Sequence, residues 1–299
     1  MTNITPLNIS LNMLHSTPIK IIETPRDGWQ GLKDIIPTDK KVDYINLLLQ
    51  AGFDTVEVGS FVSPKAIPQM ADTATVLEKI NCENSPSKIA VLVATEKGGK
   101  MATSFPQIDQ LFFPFSISPI FLQKNIKQNF VIAERTIDQL QNLCVGHGKE
   151  LIVYFSMGFG NPYGDEWTIE LLFQWVEKMT AKGLSIFPLS DITGDASPEQ
   201  IYSVFTQLIA HFPELEFGFH LHTLKNETLE KVDAAFRAGI RRFDTVLGGM
   251  GGCPMTGKEM VGNLDLETFM AYCDTQNIPL NLSRKRIEEA GKVNLNRGF

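Results

Sequence analysis

The chain has 299 residues, 43% of them hydrophobic and 20% charged, which is ample material for a large core. A formal net charge of −7 with no basic stripe argues against nucleic-acid binding; anionic small molecules stay open, because a few N–H groups and one or two cations hold them. No apolar run approaches the ~18 residues needed to cross a bilayer, no signal peptide is read at the N-terminus, and Cys82, Cys144, Cys253 and Cys273 form no CxxC pair, so a reduced, cytoplasmic setting is expected.

Short β-branched or aromatic runs alternate with longer amphipathic stretches. Strands are predicted at Ile19–Glu23, Thr55–Val58, Ile89–Val93, Gln110–Pro114, Leu151–Phe155, Ser185–Leu189, Glu216–His222 and Arg242–Leu247, at roughly the 30-residue spacing of a βα unit. Between them, Thr38–Ala51 puts Val42, Ile45, Leu48 and Leu49 on one face, with Thr38 as N-cap and Gly52 as the stop. Thr168–Ala181 repeats the scheme and ends at Gly183. Ser197-Pro198 opens a further helix, with proline where its missing N–H costs least, and Asn226–Gly239 supplies another. The connection from Pro114 to Leu151 is longer and holds an extra loop or a long helix. No linker-like stretch interrupts the pattern, so one catalytic domain over residues 1–299 is expected, with a TIM (β/α)₈ barrel over about 19–275. A doubly wound sheet is disfavoured: the first strand runs into Thr24-Pro25-Arg26-Asp27-Gly28-Trp29-Gln30, which is no dinucleotide fingerprint.

In such a barrel the catalytic groups come from the C-terminal ends of the strands. Those ends carry Arg26 and Asp27, Glu57 and Ser60, Asp191, and His220 with His222; the last strand leads into the loop Gly248–Pro254 with Cys253. Residues two apart on a strand share a face, so both imidazoles point to the barrel axis. With Asp27 on the same rim they suit a divalent cation: Mg²⁺ or Mn²⁺ for an oxygen-rich octahedral sphere, Zn²⁺ because two ligands are histidine. Arg26 can stabilise charge on a polarised carbonyl. A thiol in a glycine-rich, mobile loop is placed to swing over the site, which singles out Cys253. Glu57 and Asp191 serve either as ion-pair partners or in acid–base work. Asn263, after Gly262, offers an amide oxygen as a fourth ligand.

Several stretches resemble the 3-hydroxy-3-methylglutaryl-CoA lyase family: Pro25-Arg26-Asp27-Gly28-Trp29-Gln30, Ser60-Phe61-Val62-Ser63-Pro64-Lys65, Gly160-Asn161-Pro162-Tyr163, Ser190-Asp191, His220-Leu221-His222, Gly251-Gly252-Cys253-Pro254 and Gly262-Asn263-Leu264. The resemblance implies Asp27, His220, His222 and Asn263 as metal ligands, Arg26 as the group that stabilises an enolate, and Cys253 in proton transfer. Glu57, Asp191 and His220 would position or move protons. The implied reaction is a retro-Claisen cleavage of an acyl-CoA to acetoacetate and acetyl-CoA, by a homo-oligomer. For the substrate, Gln30, Lys33 and Lys65 are candidates from position alone. A related 3-hydroxyacyl-CoA or 3-hydroxy acid, or binding without turnover, are the alternatives. After His222 the family continues with Asp-Thr and an aromatic, whereas Thr223-Leu224-Lys225-Asn226 stands here; a carboxylate to orient a histidine is therefore expected to be missing.

Overall fold

Eight parallel strands form where the apolar runs predict them: β1 (Lys20–Glu23), β2 (Thr55–Ser60), β3 (Lys88–Leu92), β4 (Gln110–Ser116), β5 (Glu150–Ser156), β6 (Ile186–Asp191), β7 (Glu216–Thr223) and β8 (Arg242–Thr245). In this computed structural model, which describes residues 17–252 and 261–293, β1 pairs with both β2 and β8, and β6 with both β5 and β7. The sheet thus closes on itself in sequence order as a (β/α)₈ barrel. A two-residue strand, β9 (Gly262–Asn263), lies antiparallel to the end of β7 and sets Asn263 opposite His222.

Helices α1 (Pro25–Trp29), α2 (Thr38–Leu49), α3 (Thr73–Lys79), α4 (Glu96–Thr103), α5 (Pro119–Ile126), α6 (Phe130–Gly146), α7 (Ile169–Thr180), α8 (Pro198–His211), α9 (Thr228–Arg237), α10 (Leu266–Thr275) and α11 (Arg284–Val293) are the described α-helices, with one 3₁₀ turn at Pro68–Met70. Thr168 and Ser197 cap α7 and α8 as their sequences predict, each accepting a backbone N–H three residues on. Thr38 does not cap α2. Pro37 holds that position, and the Thr38 hydroxyl instead donates to Asp72 at 2.7 Å. The long connection after β4 is two helices, α5 and α6, opened by Ser118 and Asn129. Residues 25–29, after β1, form one buried helical turn that starts on a proline.

Strand alternation divides the core. Outward side chains pack under the helices in one large cluster, while Ile22, Ala90, Phe112, Ile152 and Tyr154 fill the barrel interior. Glu23 faces outward yet is fully buried, accepting from the Thr245 hydroxyl and the Leu247 N–H, both at 2.7 Å. Burial pushes its carboxyl from the ordinary 4.5 up to about 8, against those two hydrogen bonds. The folded chain therefore keeps a proton that the unfolded chain has already released. Stability from this group is complete below 4.5 and is lost as pH rises through about 8, by about 1.4 kcal/mol per pH unit. The melting temperature should accordingly fall between about pH 7 and 8, and Glu23→Gln should flatten that fall. Identical slopes in the two proteins would count against it.

Candidate active site

On β7 the inward residues are Gly218, His220 and His222, so the two imidazoles stack along one face at the C-terminal rim. Their Nε2 atoms stand 3.1 Å apart. Each Nδ1 meets an oxygen acceptor: Asp244 Oδ2 at 3.0 Å for His220 and the Val261 carbonyl at 3.3 Å for His222. Both acceptors take a proton from Nδ1, so the two Nε2 atoms face each other. Burial pushes the His220 pKa down but Asp244 and Asp27 outweigh it, so in the absence of another cation a proton on His220 bridges the pair. Asp27 Oδ2 lies 3.9 Å from His220 Nε2, and the three donor atoms fall within 4.8 Å of one another. Two ring nitrogens and a carboxylate converge in a buried pocket, and with both imidazoles neutral this donor set fits a divalent metal in place of the bridging proton. Its electrostatics agree. Burial pushes the Asp27 carboxyl up, but Arg26, the two histidines and the Asn263 amide outweigh it and hold the group below the usual range. Burial and then His220 push His222 down to about 4, so it is a neutral ligand at physiological pH.

Arg26 closes one side of this centre. Its Nη1 donates to Asp27 Oδ1 and to Gln30 Oε1, both at 3.0 Å, and its Nη2 to Glu57 Oε2 at 2.8 Å. Gln30 in turn donates to Asp27 Oδ1 at 2.6 Å. Burial lifts the Glu57 carboxyl and Arg26 opposes it, leaving a value of about 7. Asn263 is in place beside Asp27 but presents its nitrogen: Nδ2 donates to Asp27 Oδ2 and to the Met250 carbonyl, both at 2.8 Å. Its oxygen reaches a ligand position only if the amide turns over. The loop after β8 presses on the same pair. A Cβ on Gly251, whose φ is +92°, would stand 2.7 Å from Asn263 Nδ2 and 2.9 Å from the Asp27 carbonyl. Glycine is needed there for a close approach, a firmer reason than the loop mobility expected from composition.

The centre opens into a cavity of about 580 Å³ lined by Arg26, Asp27, Gln30, Glu57, His220 and His222 together with apolar side chains from β3, β4 and α5. Asn263, beside Asp27, is not on its wall, and three further predicted residues are not either. Asp191 falls one step out of phase: Ser190 faces the cavity, while Asp191 turns the other way and accepts the Ala196 N–H at 3.1 Å, its carboxyl pushed up to about 6 by burial. Lys33 and Lys65 are exposed and not part of the lining, although Ser63 and Ala66 near Lys65 are. The lysines at the cavity are Lys124 and Lys127, at the end of α5, with Asn125 between them. Lys124 lies over the Tyr163 ring at 4.3 Å. Cys253 lies outside the described residues. The carboxylate expected to be missing after His222 is supplied from β8: Asp244 orients His220, and a backbone carbonyl takes over for His222.

The HMGL-like family model matches residues 19–293. The chain belongs to the HMGL-like family. It is similar to the hydroxymethylglutaryl-CoA lyase of Bacillus subtilis, 30% identical over 268 residues that cover 90% of this chain and 89% of the relative. The mitochondrial hydroxymethylglutaryl-CoA lyase of Bos taurus is 29% identical over 275 residues, covering 91% and 83%. Among solved structures, the Bacillus subtilis HMG-CoA lyase superposes with a TM-score of 0.86 at 30% identity, covering 92% of each chain. An HMG-CoA lyase from Acinetobacter baumannii in complex with coenzyme A and 3-methylmalate gives 0.85 at 29%, covering 92% of this chain and 89% of that one. The family identifies the chain as an enzyme of the carbon–carbon lyase type. No described helix is long and apolar enough to cross a membrane.

Proposed function

We propose that this enzyme cleaves 3-hydroxy-3-methylglutaryl-CoA to acetoacetate and acetyl-CoA by a retro-Claisen reaction. The observation that carries this reading is the pair of facing Nε2 atoms with Asp27, set beside the Arg26–Glu57 pair at one end of a large cavity. Asp27, His220 and His222 would hold Mg²⁺ or Mn²⁺, with Zn²⁺ the alternative that two imidazoles allow. A divalent cation bound there supplies Lewis acidity to substrate oxygens.

The remaining work falls to the chain's own residues. Glu57, with its carboxyl near neutrality and on the cavity wall, is the base for the 3-hydroxyl proton. It is favoured over Asp191, which faces away. Arg26 bears on the oxygen where negative charge gathers as the acetyl-CoA enolate forms, and Cys253 returns a proton to the enolate carbon. Lys124 and Lys127 line the cavity and are the candidates for the phosphates of coenzyme A, a reading in keeping with the coenzyme A bound by the Acinetobacter relative.

Purified protein given Mn²⁺ or Mg²⁺ and 3-hydroxy-3-methylglutaryl-CoA should release acetyl-CoA and acetoacetate in equal amounts. Chelation should stop the release and added metal restore it, while Cys253→Ala should keep the metal and lose turnover. Failure to release acetyl-CoA with metal bound would overturn the substrate assignment and direct the search to other 3-hydroxyacyl-CoA compounds.

A further inference from the structure

Strand β8 carries two inward polar residues, Arg242 and Asp244, at the same two-residue spacing as the histidines of β7. Asp244 is 3% exposed and sits directly across from His220. Its Oδ2 takes the His220 Nδ1 proton at 3.0 Å, while Oδ1 is buried without a hydrogen bond in good geometry. Arg242, also 3% exposed, lies one step below. Its Nη1 is 3.4 Å from Glu216 Oε1, and Nε and Nη2 are buried with no bonded partner. Between the two stands Tyr154, whose hydroxyl is likewise buried and feels the charges of both Asp244 and Arg242.

The barrel is built to admit this guanidinium. A Cβ on Gly218 would stand 2.9 Å from Arg242 Cδ and 3.1 Å from Cγ. Strand β7 therefore gives up a side chain at the position two residues before His220, and the Arg242 side chain lies in that space. A buried guanidinium is costly unless it serves a counter-charge. Glu216 is partly exposed, its contact is long, and its other oxygen is taken by Lys20, so it accounts for only one end of the group. The other end faces the Tyr154 hydroxyl and feels the charge of Asp244, two residues on along its own strand.

We propose that Arg242 is a positioning residue: acting on Asp244 by its charge and through the Tyr154 hydroxyl between them, it fixes His220 as the Nδ1–H tautomer, with Nε2 turned toward Asp27 and His222. Without that cation the Tyr154 hydroxyl and the Asp244 carboxylate lose the charge that sets their orientation, and the alignment of Nδ1–H with Oδ2 is loosened. The ring can then place its proton on Nε2, where it blocks the position that Asp27 and His222 share. This rests on the reading of Asp27, His220 and His222 as the metal centre.

The test compares metal-free wild type with Asp244→Asn, Arg242→Met and Arg242→Lys, each titrated with Mn²⁺ and followed by the EPR signal of the free ion. Circular dichroism checks the fold, and ¹⁵N NMR of the histidine ring reports the tautomer. Wild type should show the Nδ1–H form at His220. Asp244→Asn, close to isosteric, should weaken Mn²⁺ binding about 10–100-fold. Arg242→Met should weaken it in the same direction, Arg242→Lys should recover part of the loss, and both Asp244→Asn and Arg242→Met should shift the tautomer. Folded variants with a lowered melting temperature but unchanged tautomer and Mn²⁺ affinity would overturn the inference and leave Arg242 a purely structural residue. Should Arg242→Met fail to fold, Asp244→Asn and Arg242→Lys decide by the same readouts. Wild type that takes up no Mn²⁺ would overturn the metal reading and this inference together; wild-type uptake with unaffected variants overturns this inference alone.

Discussion

His222→Ala protein should purify without tightly held divalent metal, and its turnover should stay at least about 10³-fold down. Residues that only orient a ligand cost about 10–100-fold in metal affinity when removed, so a ligand itself should cost more. The expectation follows from geometry. His222 presents its Nε2 3.1 Å from that of His220, and its far nitrogen is committed to the Val261 carbonyl. Held near 4 by burial and by His220, the ring is neutral through the working pH range and loses no affinity to protons there. Truncation leaves Asp27 and His220 alone, 3.9 Å apart, as a two-point site. Elemental analysis of the purified variant, together with kcat measured in excess Mn²⁺, checks both parts. Stoichiometric metal in His222→Ala would remove His222 from the ligand set.

The barrel was legible because each strand is short, apolar and regularly spaced, and because a closed parallel sheet buries both faces. The same period-2 logic brought His220 and His222 together before any coordinates. Applied to every strand, it would have done more. In Arg242-Phe243-Asp244 the polar residues share a face two apart, the spacing that marks the histidines, so the carboxylate that orients His220 is legible on the neighbouring strand rather than after His222. Parity also separates Ser190 from Asp191: Pro188 and Ser190 are two apart on the inner face, so Asp191 must turn outward. Other features had no local signal. Lys124 and Lys127 reach the cavity because Ser118 starts a helix just after β4, and Asp165 from the next βα loop accepts from both the Ser118 hydroxyl and the Ile120 N–H. That arrangement depends on a contact 47 residues away in sequence. The direction of the Asn263 amide is equally a tertiary matter, set by Asp27 and Met250.

Arg26→Met should lower kcat by at least about 10³-fold with a much smaller change in KM. One guanidinium ties Asp27, Gln30 and Glu57 together through two nitrogens, so three losses coincide. The positive charge that bears on the developing enolate disappears, a contribution that acts mainly in the transition state. Glu57, already raised by burial to about 7 with Arg26 opposing, moves further up and is protonated at neutral pH, unable to accept the hydroxyl proton. Asp27 loses the partner that most lowers its carboxyl. Breaking a buried pair ordinarily costs about 3–5 kcal/mol, but here the proton taken up by Glu57 and the cation expected beside Asp27 both offset that cost. The metal-loaded variant should therefore remain folded with most of its melting temperature, while the metal-free one drops further. Arg26→Lys should not restore activity, because a single ammonium cannot span Asp27 and Glu57 as the planar fork does. Saturation kinetics on both variants, with melting curves in the presence and absence of Mn²⁺, would expose an error in this assignment: a kcat near wild type in Arg26→Lys would show that charge alone suffices, and the bridging geometry would have no part in the rate.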